Sequence, residues 1–328
     1  MNCIDQTVTD QWTLINGDCV EVLRGIPDAS VDYSIFSPPF SSLYTYSNSP
    51  RDMGNAKDDA EFFEHFAHLI RELRRVMKPG RNVSFHCMLL PTSKERDGYI
   101  GLKDFRGDLI RAFQAGGFIY ASEVCIWKDP VTAMQRTKAL GLLHKTVRGN
   151  ASMSRQGIPD YLITMRAPGE CVDRVTHYRD EQECREVCAE RGLDFKTEKC
   201  KIFPVDHWQK IASPVWTDIN PNDTLQFRSA REHDDERHIC PLQLEVIRRG
   251  VDLWTNPGDT VLTPFAGIGS ELYVAVEMGR RALGVELKAS YYQQAVRNMQ
   301  AMSSQGSLFG AIDQLLGGGD DEERERGR

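Results

Sequence analysis

Apolar residues follow two alternating spacings along most of the chain, one typical of helices and one of strands. Between residues 59 and 77 they recur every three or four positions, which predicts an amphipathic helix. Short runs rich in β-branched and aromatic residues predict strands. The full pattern predicts strands over 31–36, 82–90, 119–127, 260–263 and 281–286, and helices over 59–77, 105–115, 242–253, 270–278 and 289–302. This alternation predicts an α/β fold built on a doubly wound, mostly parallel sheet.

The middle of the chain departs from this pattern. From 128 to 166 it is rich in Gly, Ser, Thr and Asn, has weak periodicity, and carries seven Lys or Arg against two Asp. A basic, loop-rich stretch suits either a surface that contacts phosphate or a solvated insertion. The chain is therefore divided into a first half (1–127), an inserted region (128–235), a second half of the same domain (236–305) and a disordered acidic tail (306–328).

Composition places the chain among ordinary globular proteins. Of its 328 residues, 41% are hydrophobic and 27% are charged, and the formal net charge is -7. No apolar run approaches the roughly 18–20 residues that span a bilayer, and the first residues lack the features of a signal peptide. We therefore expect a cytoplasmic protein with no membrane partner. The acidic total argues against coating of nucleic acid by bulk charge but leaves a local basic groove open.

The cysteines are candidate metal ligands or disulfide partners. There are nine, an odd number with no secretory signal, which predicts reduced thiols. Cys171, Cys184, Cys188 and Cys200 lie near one another in sequence, together with His177. Structural zinc sites usually show two tight ligand pairs, whereas only the middle two cysteines are closely spaced here. Free thiols without a metal are therefore favoured, and a zinc site is the open alternative.

Glycines mark the turn between the predicted strand 260–263 and the helix that follows. The segment 261–270 reads Val-Leu-Thr-Pro-Phe-Ala-Gly-Ile-Gly-Ser. Glycines at such a turn let the backbone approach a ligand at the carboxyl end of the strand. Glu286 ends the next predicted strand, where nucleotide-binding sheets place the acid that accepts ribose hydroxyls. The third glycine of the dinucleotide fingerprint is missing, so an adenosine-containing ligand without a pyrophosphate fits better.

A second motif, Ser37-Pro38-Pro39-Phe40, follows the predicted strand 31–36. The two prolines remove N–H donors, so the loop presents two acceptors, a hydroxyl and a carbonyl, beside a flat aromatic ring. This arrangement suits an exocyclic amino group on a planar base. Hydrogen bonds accepted from the amine favour the tetrahedral nitrogen that forms as it attacks a methyl group. The structural alternative is a rigid turn whose phenylalanine fills the core.

Together the two motifs resemble those of the DNA amino-methyltransferases, which move a methyl group from S-adenosylmethionine to N4 of cytosine or N6 of adenine. Segment 37–40 matches the family's (Asp/Asn/Ser)-Pro-Pro-(Tyr/Phe/Trp), and segment 263–269 matches its Asp-Pro-Phe-x-Gly-x-Gly except at the first position. The order matches the permuted class, in which the catalytic loop precedes the cofactor loop and the target-recognition region lies between them. The resemblance covers about residues 12–127 and 203–300. It implies a Rossmann-like methyltransferase fold with S-adenosylmethionine as cofactor.

The resemblance also implies roles for individual residues. Catalytic roles fall on Ser37, Pro38, Pro39 and Phe40, the last as the partner that stacks on the target base. Cofactor binding falls on Asp18, Pro241, Thr263, Phe265, Ala266, Gly267, Gly269, Ser270 and Glu286. Two positions depart from the family: its cofactor-loop Asp is Thr263 here, and the basic residue often found before the position of Pro241 is Cys240. Either change weakens cofactor binding or marks a subgroup with different contacts.

A duplex substrate explains the basic stretch. A stacked base hides its amino group, so such an enzyme must flip its target out of the helix. The inserted region 128–235 would then hold backbone phosphates and read the flanking bases of double-stranded DNA. We expect phosphate contacts at Arg136, Lys138, Lys145, Arg148 and Arg155. On this reading 1–127 is the catalytic half and 236–305 the cofactor-binding half of one methyltransferase domain.

The target base and two other classes of function stay open at this point. In the resembling family, Ser at the position of Ser37 accompanies N4-cytosine more often, and Asp or Asn accompanies N6-adenine, so cytosine is favoured. A hydroxyl both donates and accepts, so this residue alone leaves adenine open. A nucleic-acid-binding module without turnover and a methyltransferase acting on RNA or on a protein amide are the alternatives. The sequence also leaves open a homodimer and a companion nuclease, in a bacterial or phage-type setting.

Overall fold

The computed structural model describes residues 3–40, 51–131, 133, 143–154, 156–176, 181–190, 192, 194, 208–209, 211–226 and 241–302. Several sequence predictions lie outside these ranges, namely those for Arg136, Lys138, Arg155, His177, Cys200, Cys240 and the tail 306–328. Within the described ranges, no helix is both long and apolar enough to cross a bilayer. The same ranges contain no cluster of three or more His, Cys, Asp or Glu residues arranged to hold a metal ion.

The described part of the chain alternates strands and helices. The strands are β1 (Cys3–Val8), β2 (Trp12–Gly17), β3 (Val31–Phe36), β4 (Met77–Met88), β5 (Leu90–Pro91), β6 (Leu102–Lys103), β7 (Ile119–Ile126), β8 (Asp160–Arg166), β9 (Val215–Trp216), β10 (Thr260–Thr263) and β11 (Arg281–Glu286). The helices are α1 (Cys19–Leu23), α2 (Asp59–Val76), α3 (Lys94–Asp97), α4 (Phe105–Ala115), α5 (His144–Gly149), α6 (Glu181–Glu190), α7 (Leu244–Trp254), α8 (Ser270–Glu277) and α9 (289–302).

One large sheet organises the described elements. Its strand order is β1-β2-β11-β10-β3-β4-β8-β7-β9, and β5 pairs with β6 separately. Strands β2, β11, β10, β3 and β4 run parallel to one another, whereas β1 and β8 are antiparallel to their neighbours. The parallel strands end at one edge, called the carboxyl edge below. The prediction of an α/β fold on a mostly parallel sheet is confirmed.

Helices cover both faces of this sheet, as a doubly wound fold requires. Helices α1, α2 and α4 pack on one face, where Phe66 and Phe113 are fully buried. Helices α7, α8 and α9 pack on the other face, where Val274 is fully buried. Helix α2 begins as its sequence predicts, because the Asp58 carboxylate accepts a hydrogen bond from the Glu61 N–H and so caps the first turn.

A buried group of charges aligns β3 with β10 at the amino ends of these strands. Asp32 is 3% exposed and accepts hydrogen bonds from Lys78, Arg81 and the backbone N–H of Thr260. A buried carboxylate must be paired, so removing either cation would leave an uncompensated charge in the core. This group fixes the relative position of the two strands whose opposite ends carry the two sequence motifs.

The structure differs from the sequence prediction at three points. Residues 160–166, assigned to the inserted region, form β8 inside the sheet between β4 and β7. Strand β4 begins at Met77 instead of residue 82, because Met77 already pairs with Val31, and a register shift follows before Asn82 pairs with Tyr33. The hairpin of β1 and β2 extends the sheet and was not predicted. Strands β8 and β4 depend on pairing with distant strands, which local periodicity does not report.

Candidate active site

The two sequence motifs lie side by side at the carboxyl edge. Strand β10 pairs with β3 in parallel, with Val261 opposite Tyr33 and Leu262 opposite Ser34. The segments that follow these strands, 263–269 and 37–40, therefore leave the sheet next to each other. The rings of Phe36 and Phe265 have centroids 5.7 Å apart, which packs the end of one strand against the loop of the other.

The segment 263–269, called the glycine loop below, leaves room for a ligand at one glycine and none at the other. Gly267 has φ of +52°, and a side-chain carbon there would meet no atom of the described residues within 4 Å. Gly269 has φ of +90°, and a carbon there would lie 3.1 Å from Cβ of Ala295 in α9. The first glycine therefore keeps open space at the carboxyl edge, and the second permits close packing of a helix.

Glu286 connects the end of β11 to this loop. Its carboxylate accepts a 2.7 Å hydrogen bond from the N–H of Gly267 and a 2.9 Å bond from the N–H of Lys288. The Asn16 amide donates to the backbone carbonyls of Glu286 and Leu287, which holds β2 against β11. The residue keeps partial exposure, but the protein packed around its carboxyl group raises the pKa of Glu286 to about 7. The two N–H groups work in the opposite direction.

Two hydroxyls near the glycine loop are buried without a partner. Thr263 and Ser270 are each 2% exposed, and Oγ1 of the first and Oγ of the second have no hydrogen-bond partner among the described residues. Buried polar atoms almost always have a hydrogen-bond partner, so buried atoms without one point to a ligand or an ordered water molecule. Together with the open space at Gly267, they fit a ligand that presents hydroxyl, amino or carboxylate groups at this edge.

The remaining predicted cofactor residues lie around this loop. Ala266 is buried, and its N–H donates to the Val285 carbonyl at 2.8 Å, which fixes the loop to β11. Asp18 follows β2 and caps α1 by accepting from the N–H of Glu21 at 3.0 Å. Because β2 adjoins β11, Asp18 lies at the same edge as the glycine loop. Pro241 is partly exposed, three residues before α7, and its role stays a prediction.

The segment 37–40, called the acceptor loop below, packs against the protein core on one side and is partly exposed on the other. Pro38 is buried, and Ser37, Pro39 and Phe40 are partly buried. The ring of Phe40 lies 6.2 Å from that of Phe105 at the start of α4. The ring therefore packs against the core and keeps part of its surface exposed, and its stacking on a target base stays a prediction.

Sequence reasoning missed several titratable residues near the two loops. His86, Asp160 and Lys128 form a chain of polar contacts that starts at Ser37. Glu271, the second residue of α8, is 5% exposed, and burial raises its pKa to about 8. A glutamate in the first turn of a mostly apolar helix was the available signal for the latter. The others are brought together by pairing between β4, β7 and β8, which the sequence does not report.

Two of the five predicted DNA contacts lie within the described residues. Lys145 and Arg148 are both exposed on α5, a helix with no buried residue. Residues three apart share one face of a helix, so both charges point the same way. Their contact with DNA stays a prediction.

Cys188 is buried and Cys171 is partly buried, each as a free thiol.

Known proteins share the sequence pattern and the fold. The type II methyltransferase M.BglII of Bacillus subtilis is 23% identical over 90% of this chain and 71% of its own length. The DNA adenine methyltransferase YhdJ of Escherichia coli (strain K12) is 24% identical over 89% of this chain and 83% of its own. A structure described as a DNA modification methylase of Thermus thermophilus, in complex with S-adenosyl-L-methionine, superposes with a TM-score of 0.60 at 22% identity, covering 89% of this chain and 95% of that one.

The fold and the site define a Rossmann-like methyltransferase. Residues 31–297 match the model of the N6/N4 methyltransferase family, described as DNA methylase. This chain belongs to that family, which confirms the resemblance seen in the sequence. It is a DNA amino-methyltransferase of the type that modifies N4 of cytosine or N6 of adenine.

Proposed function

We propose that this protein transfers a methyl group from S-adenosylmethionine to N4 of a cytosine flipped out of double-stranded DNA. The observation that carries the proposal is the adjacency of the acceptor loop 37–40 and the glycine loop 263–269 at one edge of the sheet. Membership of the DNA methylase family supports the type of reaction. Ser37, at the first position of the acceptor loop, supports cytosine.

The residues at the glycine loop fit S-adenosylmethionine, which when bound supplies an activated methyl group on a sulfonium sulfur. The Glu286 carboxylate is the acceptor we assign to the ribose hydroxyls. The hydroxyls of Thr263 and Ser270, which have no partner among the described residues, can form hydrogen bonds with the cofactor. The open space at Gly267 lets the ligand approach the backbone closely. Asp18 is assigned to the adenine end of the cofactor. A Thr in place of the family's Asp at residue 263 removes a charge but keeps a hydrogen-bonding oxygen.

The acceptor loop acts on the amino group of the target base. Its nitrogen is a poor nucleophile because the lone pair is delocalised into the ring. The Ser37 hydroxyl and the Pro38 carbonyl accept hydrogen bonds from the two N–H groups, which favours a tetrahedral nitrogen and directs its lone pair at the methyl group. Phe40 stacks on the flipped base and offsets part of the few kcal/mol that unstacking costs.

Loss of the two charges on α5 is expected to weaken DNA binding and flatten its salt dependence. The inserted region is proposed to hold backbone phosphates through residues such as Lys145 and Arg148, which are exposed on α5. Each phosphate contact contributes about 0.9 to the slope of log K against log salt, so the double alanine variant should lose about 2 in slope. Fluorescence anisotropy on one duplex at several salt concentrations measures this.

The matched control is Arg281→Ala, an exposed arginine at the amino end of β11, away from the carboxyl edge. It is expected to keep the salt slope of the unmodified protein. An unchanged slope in the Lys145→Ala, Arg148→Ala variant would remove α5 from the DNA contact surface.

Cofactor affinity is expected to rise with pH through the titration of Glu286. The ionised carboxylate accepts from the ribose hydroxyls, so a proton on it competes with the cofactor. With a pKa of about 7, the carboxyl is mostly protonated at pH 6 and mostly ionised at pH 8. The dissociation constant for S-adenosylmethionine should therefore fall about tenfold between these pH values. Glu286→Gln should bind more weakly at pH 8 and show no such change, as measured by isothermal titration calorimetry.

Glu277→Gln is the control for this experiment, because Glu277 is an exposed residue at the end of α8 that pairs with Arg248. It should keep the pH profile of the unmodified protein. A flat profile in the unmodified protein would show that no group titrating near pH 7 receives the cofactor.

The proposed reaction is tested by the nucleosides it leaves in DNA. The protein is incubated with unmethylated duplex DNA of varied sequence and S-adenosylmethionine, and the digest is examined by mass spectrometry, with the Ser37→Ala, Phe40→Ala double variant as control. N4-methylcytosine present only with the unmodified protein supports the proposal. N6-methyladenine would keep the mechanism and overturn the base. Methylation of an RNA of matching sequence in place of DNA would overturn the substrate.

A further inference from the structure

A buried polar chain runs from the acceptor loop into the sheet. Oγ of Ser37 lies 3.3 Å from Nδ1 of His86, and Nε2 of the same imidazole lies 2.9 Å from Oδ2 of Asp160. That carboxylate oxygen also contacts Nζ of Lys128. His86 is 9% exposed and Asp160 is 2% exposed, so the two central residues of this polar chain are shielded from water.

The register of three strands brings these residues together. Phe36 of β3 pairs with Phe85 of β4. The residues that follow them, Ser37 and His86, therefore lie beside each other at the carboxyl edge. Met88 pairs with Asp160, and His86 is two residues before Met88 on the same face of β4. Alternate residues of a strand share a face, and diagonal neighbours across a pair lie within reach of long side chains. The imidazole therefore spans from β3 to β8.

Lys128 completes the chain from the next strand. Ile126 of β7 pairs with Asp160, and Lys128 follows two residues later. Burial alone would raise the pKa of Asp160, but His86 and then Lys128 outweigh it, so the pKa lies below its ordinary value. The carboxyl group is thus an ionised acceptor that contacts Nζ of Lys128 and lies 2.9 Å from Nε2 of His86.

The chemistry of the partners decides which nitrogen carries hydrogen. An ionised carboxylate has acceptors only, so the tautomer of His86 with hydrogen on Nε2, 2.9 Å from that carboxylate, avoids setting two lone pairs against each other. In a neutral imidazole the other nitrogen is then bare and can only accept. In that tautomer Ser37, whose Oγ lies 3.3 Å from Nδ1, would donate its hydroxyl hydrogen to this nitrogen. Both lone pairs of the Ser37 oxygen are then left for the amino group of the target base.

We propose that His86 is a positioning residue that makes Ser37 a hydrogen-bond acceptor, with Asp160 and Lys128 holding the imidazole in the required tautomer. This inference rests on the proposed function, because it specifies how the acceptor loop reaches the state that receives an amine. A hydroxyl free to rotate would spend part of its time donating toward the base. Fixing it before the substrate arrives lowers the cost of reaching the reactive geometry.

The role is tested by single-turnover methyl transfer with saturating cofactor. His86→Ala should lower the rate by about 10- to 100-fold, the size expected when one hydrogen bond is lost in the transition state, and should leave the dissociation constant of S-adenosylmethionine within about twofold. His86→Asn places an amide oxygen near the position of Nδ1 and should recover most of the rate. His68→Ala, an exposed histidine of α2, is the matched control. In the Ser37→Ala background, His86→Ala should have no further effect, because it acts through Ser37.

Three outcomes separate this inference from the proposed function. An active protein whose His86→Ala variant is equally fast overturns the inference and leaves the function standing. An additive loss in the Ser37→Ala background overturns it too, because His86 would then act elsewhere. A protein that methylates no nucleic acid overturns both. Nitrogen-15 shifts of the imidazole, assigned with His86→Ala, report the tautomer without turnover, and a hydrogen on Nδ1 would overturn the inference.

Discussion

Gly267→Val is expected to reduce the affinity for S-adenosylmethionine more than about 100-fold, which corresponds to roughly 3 kcal/mol. Two causes act together. Gly267 has φ of +52°, a left-handed conformation that a β-branched residue rarely adopts. The branched side chain would also enter the space at the carboxyl edge that the ligand is proposed to occupy, where no described atom lies within 4 Å of the new carbon. Isothermal titration calorimetry measures the affinity.

A second glycine supplies a control with the same backbone strain. Gly258 has φ of +82° and open space around it, but it precedes β10 at the amino ends of the strands. Gly258→Val should lower the melting temperature by an amount similar to that of Gly267→Val, while cofactor affinity stays within about twofold of the unmodified protein. Equal losses of affinity in both variants would mean that strain, and not occupation of the site, explains the result.

Ser37→Ala is expected to lower the single-turnover rate of methyl transfer by about 100- to 1,000-fold, the range seen when one group that stabilises a transition state is removed. The alanine cannot accept a hydrogen bond from the target amine. Because Glu286 and the glycine loop are assigned the cofactor contacts, the affinity for S-adenosylmethionine should change less than twofold. Rapid-quench measurement of methyl transfer to a labelled duplex, with cofactor binding measured separately, tests both parts.

The other end of β3 offers the control for this variant. Ser30 immediately precedes the strand, and its hydroxyl donates to the Pro27 carbonyl at 2.7 Å. Ser30→Ala should lose that bond and leave the rate of methyl transfer unchanged. A Ser37→Ala variant that loses cofactor affinity and transfer rate in parallel would place Ser37 in the cofactor site and remove its assigned role as acceptor of the amine.

Local pattern was sufficient for elements that carry their own signals. Helix α4 and strands β10 and β11 begin and end at the predicted residues. Each combines a clear spacing of apolar residues with turn residues at its ends, which are properties of the contiguous segment. The two motifs were readable for the same reason, since prolines and glycines restrict or free the backbone wherever they stand.

Elements that depend on a distant partner were missed or misplaced. Strand β8 lies in a segment of weak periodicity, yet it is buried in the middle of the sheet between β4 and β7. A segment buried on both faces and paired on both edges is stabilised by its neighbours more than by its own composition. The same limit applies to His86, Asp160 and Lys128, since no pair of them is closer than 32 positions in sequence.

The alternation of strands and helices, the acceptor loop 37–40, the glycine loop 263–269 and the acid Glu286, and hence the family, could be read from the chain alone. Three features became evident only in the folded protein: these segments share one edge, the buried hydroxyls of Thr263 and Ser270 have no partner among the described residues, and His86 lies between Ser37 and Asp160. Chemical type and backbone restriction belong to each residue, wherever it lies. Burial, pKa and hydrogen-bond direction belong instead to the contacts that folding creates between distant residues.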